Sequence, residues 1–335
     1  MYLSYINLFR AIATLFVVFN HSIHGLQWGV AYDNFEMSRL MKIVFSNGAF
    51  FFVFIAGFVF QHLLYKFDYK KYLVSRFMLV VLPYLLVSIP AVMAWTFFFQ
   101  KSGYGIPRDL YSQPWWHRAG FYYLTGQHMA PLWFIPMIVM FYLLSPLFKI
   151  IDRFPITYLM IPLLMVVSYF YPRTWSPWWQ FVHFFPVYII GMWASRYKEP
   201  LLDRVYQYRY LVFLLYLSFV GYEFLMLHSV QSFFNYMNKL CLSFLLIALL
   251  AHYSDRPFKW LSWFAAINFS VFFLHTYANA GLKIVFTGGP AQSIPIVGNF
   301  AYQLVYFCVV VVISLVGALI VKKVTGRYSK YLIGS

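Results

Sequence analysis

From residue 299 to residue 321 the chain reads NFAYQLVYFCVVVVISLVGALIV, without one charged side chain. A helix of that length covers the hydrocarbon core of a bilayer, which takes ~20 apolar residues. Comparable runs occupy 4–23, 43–65, 77–99, 132–151, 155–171, 178–195, 210–228, 236–253 and 267–286. Of the 335 residues 62% are hydrophobic and only 10% charged, too few polar side chains to build a water-facing surface. In lipid every backbone N–H and C=O has to be satisfied within the protein, and long apolar runs without alternation do so as helices rather than barrel strands. The expected fold is an all-α integral membrane protein, a bundle of about ten transmembrane helices. The two longest connections, 24–42 and 100–131, are too short to fold alone, so a single domain over 1–335 is expected.

The net charge of +16 would suggest nucleic acid on a soluble domain, but its distribution follows a membrane topology instead. If both termini share one side, the cations at 66–76, 149–153, 196–209, 256–259 and 322–330 lie there and number sixteen. Those at 39–42, 101–118, 173, 239 and 283 number eight and lie opposite. The excess assigns both termini to the cytoplasm of a multi-pass cell-membrane protein. The opening MYLSYINLF lacks a basic region and no small-residue cleavage site follows, so the first helix is expected to stay in the protein. Cys241 and Cys308 both fall inside predicted helices and indicate neither a disulfide framework nor a metal cluster.

One cation, Arg10 in RAIATLFVVFNH, falls in no predicted loop or helix end. A charged side chain within a span costs ~2.5–3.5 kcal/mol on insertion scales. Snorkelling to the headgroups offsets part of that cost; a polar cavity offsets more. His21 follows eleven residues later, roughly three helical turns and ~16 Å of rise, so both side chains leave the helix from nearly the same face. A fixed cation and an ionisable base on one stripe read as the lining of a polar tunnel. Glu223, in FVGYEFLMLH, is the one carboxylate well inside a predicted helix; it orients His21, pairs with Arg10, or bonds a neighbouring helix. Trp115, Trp116 and Trp133 border the outer loop, where an indole stacks on a sugar or anchors at the interface; Trp133 is the candidate for acceptor contact.

Arg-x10-His in a first helix ending FVVFNHS resembles the membrane-bound acyltransferase-3 family. The resemblance continues through NGAFFFVFIAGFVF (47–60), SRFMLVVLPYLL (75–86), LWFIPMIVMFYLLSPL (132–147), FPVYIIGMWASRY (185–197) and NFSVFFLHTYA (268–278), nearly the whole chain. It departs twice. The family's Ser-Gly-Phe is Ala56-Gly57-Phe58 here, and of its Arg-x-x-Arg ahead of Pro-Tyr only Arg76 is present, with Leu79 in the second place.

The resemblance implies transfer of an acyl group, most simply acetyl, from cytoplasmic acyl-CoA to a hydroxyl of an extracytoplasmic or lipid-linked glycan. Arg76, with Lys70 and Lys71, would then dock the polyanionic CoA phosphates. His21 would be the catalytic imidazole, able both to take the hydroxyl proton and to protonate the leaving thiolate. Arg10 would hold the CoA arm or an acidic partner, and Ser270 and His275 match a family Ser/His phrase near the substrate. No metal is expected. The alternative is a proton-coupled transporter or a glycan-export component, since buried Arg, His and Glu also form proton relays.

Overall fold

The computed structural model describes residues 3–28, 32–100, 103, 105–171, 174, 176–226, 233–253, 259–289 and 292–334. Lys101, Arg173 and Arg256, counted above among the loop cations, lie outside the described residues. Of the described residues 84% are helical. By length and apolarity six helices among the described residues can cross a membrane, or eight if two pairs bent by 56° and 75° each count as one span. A helix stands at each of the ten predicted positions, yet the count of ten is not reached. The segment 155–171 forms only a short apolar helix. That over 178–195 is long enough but carries Gln180, His183, Pro177 and Pro186, which lower its hydropathy.

In chain order the helices begin with α1 (Ser4–Ser22), α2 (Tyr32–Phe45) and α3 (Ala49–His62), with the two-residue strand β1 (Leu26–Gln27) after α1. They continue with α4 (Tyr69–Arg76), α5 (Leu82–Met93), α6 (Trp115–Thr125), α7 (Phe134–Leu143), α8 (Ser145–Arg153), α9 (Ile161–Phe170), α10 (Pro177–Arg196) and α11 (Lys198–Gln207). Then follow α12 (Arg209–Met226), α13 (Phe233–His252), α14 (Lys259–Ala265), α15 (Asn268–Thr287), strand β2 (Ile294–Val297), α16 (Phe300–Thr325) and α17 (Ser329–Leu332). The pairing of β1 with β2 in parallel is the one departure from an all-α chain among the described residues.

Two compact units divide these elements: residues 1–55 with 197–320, and residues 56–196 with 321–335. In the first, α1 packs against α2, α13, α14 and α15. Its seam is aromatic: Phe9 meets Phe51 and Phe54 at ring separations of 5.7 and 6.3 Å, and Phe19 meets Phe45 at 4.0 Å. Lipid is as apolar as Leu, so the association of these helices rests on close packing rather than on escape from water. Gly48 belongs to the same seam, since a Cβ there would lie 2.7 Å from Val17 Cγ2. Asn47, with φ of 62°, turns the chain into α3.

In the second unit the rings of Phe141, Phe148 and Tyr188 cluster at 4.5–5.9 Å. Asp152, buried, accepts from Arg196 Nη1 at 3.0 Å and from the Tyr158 hydroxyl at 2.5 Å. Between α4 and α5 the helix widens into a π turn over Phe77–Val81. Pro83 explains the widening locally: it has no N–H for the Leu79 carbonyl, and its ring crowds that carbonyl.

Candidate active site

Arg10 and His21 lie on one unbroken helix, α1, and both are partly accessible. The two side chains therefore leave nearly the same face of the folded helix, with ~16 Å of rise between them. His21 occupies the last turn of α1. There the helix leaves carbonyls without intrahelical donors, an environment that suits a cation.

One neighbour of His21 comes from α15. The rings of His21 and His275 are 5.7 Å apart, inclined at 39°. His275 is fully buried and its Nδ1 lies 3.2 Å from the Val271 carbonyl oxygen. A carbonyl only accepts, so Nδ1 donates and the lone pair of the neutral ring sits on Nε2. That Nε2 is buried with no hydrogen-bond partner among the described residues, and so are both polar atoms of the Gln303 amide.

One turn beyond His275, Asn279 Oδ1 accepts a 2.9 Å hydrogen bond from the Tyr306 hydroxyl on α16. The Tyr306 ring lies over Gly25, one turn past His21, where a Cβ would fall 2.1 Å from the ring. Contacts therefore run from the end of α1 to α16, from α16 to α15, and back to α1. Ser270 is also buried, its hydroxyl without a partner among the described residues. Five residues separate it from His275, which turns it ~140° around the helix, so the Ser/His phrase does not present one face.

Glu223 is fully buried on α12 within a polar network. Its Oε2 accepts from Asn235 Nδ2 at 3.3 Å and from Asn238 Nδ2 at 3.2 Å. Asn238 Oδ1 in turn accepts from Lys239 Nζ at 2.9 Å, so one amide bridges carboxylate and ammonium. Lys239 is fully buried and also donates to the carbonyls of Ile43 and Val44 at 2.9 and 2.8 Å, capping the end of α2. This corrects the sequence reading on one point: Lys239 is not a loop or helix-end cation, and Arg10 is not alone among membrane-embedded ones. Asn235, Asn238 and Lys239 recur at the i, i+3, i+4 spacing of one helix face, the signal that marks such a cluster in an apolar run.

The second unit holds the basic candidates. A cavity of about 220 Å³ is lined by Phe60, Phe67, Tyr72, Lys66, Lys71 and Arg76, among others. Asp68 caps α4 by accepting from the Lys71 backbone N–H at 2.9 Å, which sets the first turn of the helix that carries Arg76. The Arg76 guanidinium lies over the rings of Tyr72 and Tyr142, 4.9 and 5.7 Å from their centroids. Stacking of this kind leaves the edge of the fork able to donate. Lys71 points into solvent, its side chain 87% exposed, and Lys70 is exposed and does not line the cavity. Lys66, not singled out in the sequence, does. Trp133 is buried and stacked on Phe184 at 6.2 Å, which leaves little indole surface to offer a sugar, whereas Trp115 and Trp116 are exposed.

A family model described as an acyltransferase domain, acyltransferase-3, matches residues 3–319. The chain belongs to this acyltransferase family. No curated protein and no solved structure matches it. Membership makes the chain a multi-pass membrane acyltransferase, and the fold accounts for parts of the phrases that carry the resemblance. Within Ala56-Gly57-Phe58, a Cβ on Gly57 would lie 2.1 Å from the Tyr188 carbonyl oxygen, so α3 and α10 cross with their backbones almost touching. Exposed to no neighbour, Ala in place of a helical Gly gains ~1 kcal/mol; forced against backbone, it costs ~1–3 kcal/mol or more. Gly57→Ala in this acyltransferase is therefore expected to lower the melting temperature of the detergent-purified protein. An unchanged or raised value would show that α3 and α10 do not cross this closely.

Proposed function

We propose that this acyltransferase moves an acyl group, most simply acetyl, from acyl-CoA to a hydroxyl of an extracytoplasmic or lipid-linked glycan. The observation that carries the reading is the 5.7 Å approach of His21 and His275 in a chain of this family. Hydroxyl transfer requires removal of one proton and delivery of another to the leaving thiolate, which is the work of imidazoles. In the first unit we assign His21 to this proton chemistry and Arg10, on the same stripe, to an anionic or carbonyl group of the donor arm. Glu223, through Asn235 and Asn238, supports the helices around the site. Ser270 and Gln303 are polar groups available to substrate.

In the second unit, Arg76 with Lys66 and Lys71 suits the phosphates of a nucleotide-bearing donor, and Tyr72 and Phe67 suit its base. Lys70 adds charge nearby, and Trp133 serves packing. We further propose that the chain sits in the cell membrane with both termini cytoplasmic, as the excess of cations on that side supports.

Membranes carrying the protein, given [14C]acetyl-CoA, are expected to gain label in a glycan or lipid-linked saccharide fraction. Arg10→Lys is expected to insert and fold normally while losing most of that transfer, because Lys lacks the planar multi-donor fork that fixes a partner's orientation. Label in no fraction, with uptake of a solute by the wild-type protein, would replace this reading by the transporter. Wild-type transfer by Arg10→Lys would return Arg10 to a membrane anchor.

A further inference from the structure

We infer that His275 is a second catalytic residue, the base that takes the acceptor's hydroxyl proton, and that His21 serves as the acid that protonates the departing thiolate. The inference rests on the acyl-CoA-to-hydroxyl reading above and divides between two imidazoles the proton work given there to one.

Three observations lead to it. The first is the tautomer. His275 Nδ1 is held by the Val271 carbonyl at 3.2 Å, so Nε2 carries the lone pair a base needs. The second is that this nitrogen is buried without a partner among the described residues. A buried acceptor left unpaired costs ~1–3 kcal/mol, and a histidine kept only for packing is better replaced by a ring without nitrogen. The third is the neighbour. His21, 5.7 Å away by ring centroid, is partly accessible and stands at the carbonyl end of α1, where a positive charge is favoured. Two imidazolium ions at this separation repel, so in the resting pair one ring holds the proton, and both are protonated only beside the anionic tetrahedral intermediate, whose charge offsets the repulsion. One ring is thus ready to accept and the other ready to give. The bond from Tyr306 to Asn279 and the seating of Tyr306 over Gly25 hold α1, α15 and α16 in this relation.

The step balances. The acceptor oxygen attacks the thioester carbonyl carbon and its proton passes to His275 Nε2. The tetrahedral intermediate collapses, the C–S bond breaks with its electron pair left on sulfur, and His21 delivers a proton to that sulfur, releasing CoA as the free thiol. The new ester leaves, and the proton on His275 passes to His21, which restores both rings. No net proton, oxidant or reductant is consumed.

The test separates the two roles by the chemistry each makes dispensable. The purified protein is assayed with acetyl-CoA and the envelope glycan fraction of the source cells, then with hydroxylamine as nucleophile, then with the acetyl thioester of nitrothiophenol as donor. His275→Asn keeps a donor for the Val271 carbonyl and removes the base. Its transfer to the glycan fraction is expected to fall about 10²–10⁴-fold. Its transfer to hydroxylamine, which attacks without prior deprotonation, is expected to stay close to wild type. His21→Asn is expected to lose transfer from acetyl-CoA to both nucleophiles and to recover with the nitrothiophenyl donor, whose thiolate leaves unprotonated. If His275→Asn does not fold, as judged by its melting curve, His275→Gln is read in the same way.

Glycan transfer by His275→Asn at the wild-type rate would overturn the inference. So would a parallel loss with hydroxylamine, since that would make His275 a positioning or structural residue. Absence of any transfer from acetyl-CoA by the wild-type protein would remove the proposed function and the inference together, a result distinguishable from either of the others.

Discussion

Replacing His21 by alanine is expected to reduce acyl transfer by about 10²–10⁴-fold, the contribution of a positioned acid or base, while the protein still inserts, folds and binds donor. The direction follows from where His21 stands. It is in the last turn of α1, partly accessible, and its ring lies 5.7 Å from that of His275. Loss of the imidazole leaves the aromatic seam of α1 in place, since Phe9, Phe16 and Phe19 carry the packing against Phe45, Phe51 and Phe54. Stability is therefore expected to change little, and the measurement pairs a melting curve in detergent with release of CoA from acetyl-CoA. Near-wild-type turnover in a folded His21→Ala protein would remove His21 from the chemistry. An equal fall in melting temperature and activity would make it a packing residue instead.

The second large effect is on stability and lies away from the chemistry. Lys239→Met removes the ammonium that donates to the carbonyls of Ile43 and Val44 and to Asn238, and leaves the Glu223 carboxylate without its bridged counter-charge. Removing one partner of a buried charge pair costs ~3–5 kcal/mol, because the other charge stays buried after its counter-charge is gone. The single variant is expected to run as aggregate in size-exclusion chromatography, or to melt well below wild type. Adding Glu223→Gln to Lys239→Met removes the stranded charge and is expected to restore part of the loss, whereas two independent contacts would give additive losses. A Lys239→Met protein as stable as wild type would mean that this network does not hold α2 to α13.

The two predictions draw on different kinds of information. The register of Arg10 and His21 is local: eleven residues in a continuous helix bring two side chains to one face whatever surrounds them. It was therefore readable before any packing was known. Lys239 was not readable in the same way. It lies near the start of an apolar run, and charge at the edge of such a run is ordinarily at the interface. Only the three contacts of its Nζ show that α13 begins earlier and carries the ammonium inward. The ten spans illustrate the same division. Hydropathy located a helix at each position, but whether a helix crosses depends on its bend and on the polar groups it carries, as α10 and the pairs bent by 56° and 75° show.

What the sequence by itself determined about this protein is its solvent, its helices, its family and the Arg10–His21 stripe. Each follows from the order of residues over one or a few turns, through the energy of placing apolar surface in lipid and the 3.6-residue period of the helix. What only the tertiary structure decided is which residues from distant parts of the chain meet. His275 stands beside His21, Tyr306 seats on Gly25, Glu223 joins Lys239 through Asn238, and Gly57 gives α10 its close approach. The physical reason is that a helix in lipid has already satisfied its backbone and apolar surface, so its own sequence says little about which face turns to which neighbour. That choice is made by the few small or polar residues whose fit depends on the whole packed arrangement.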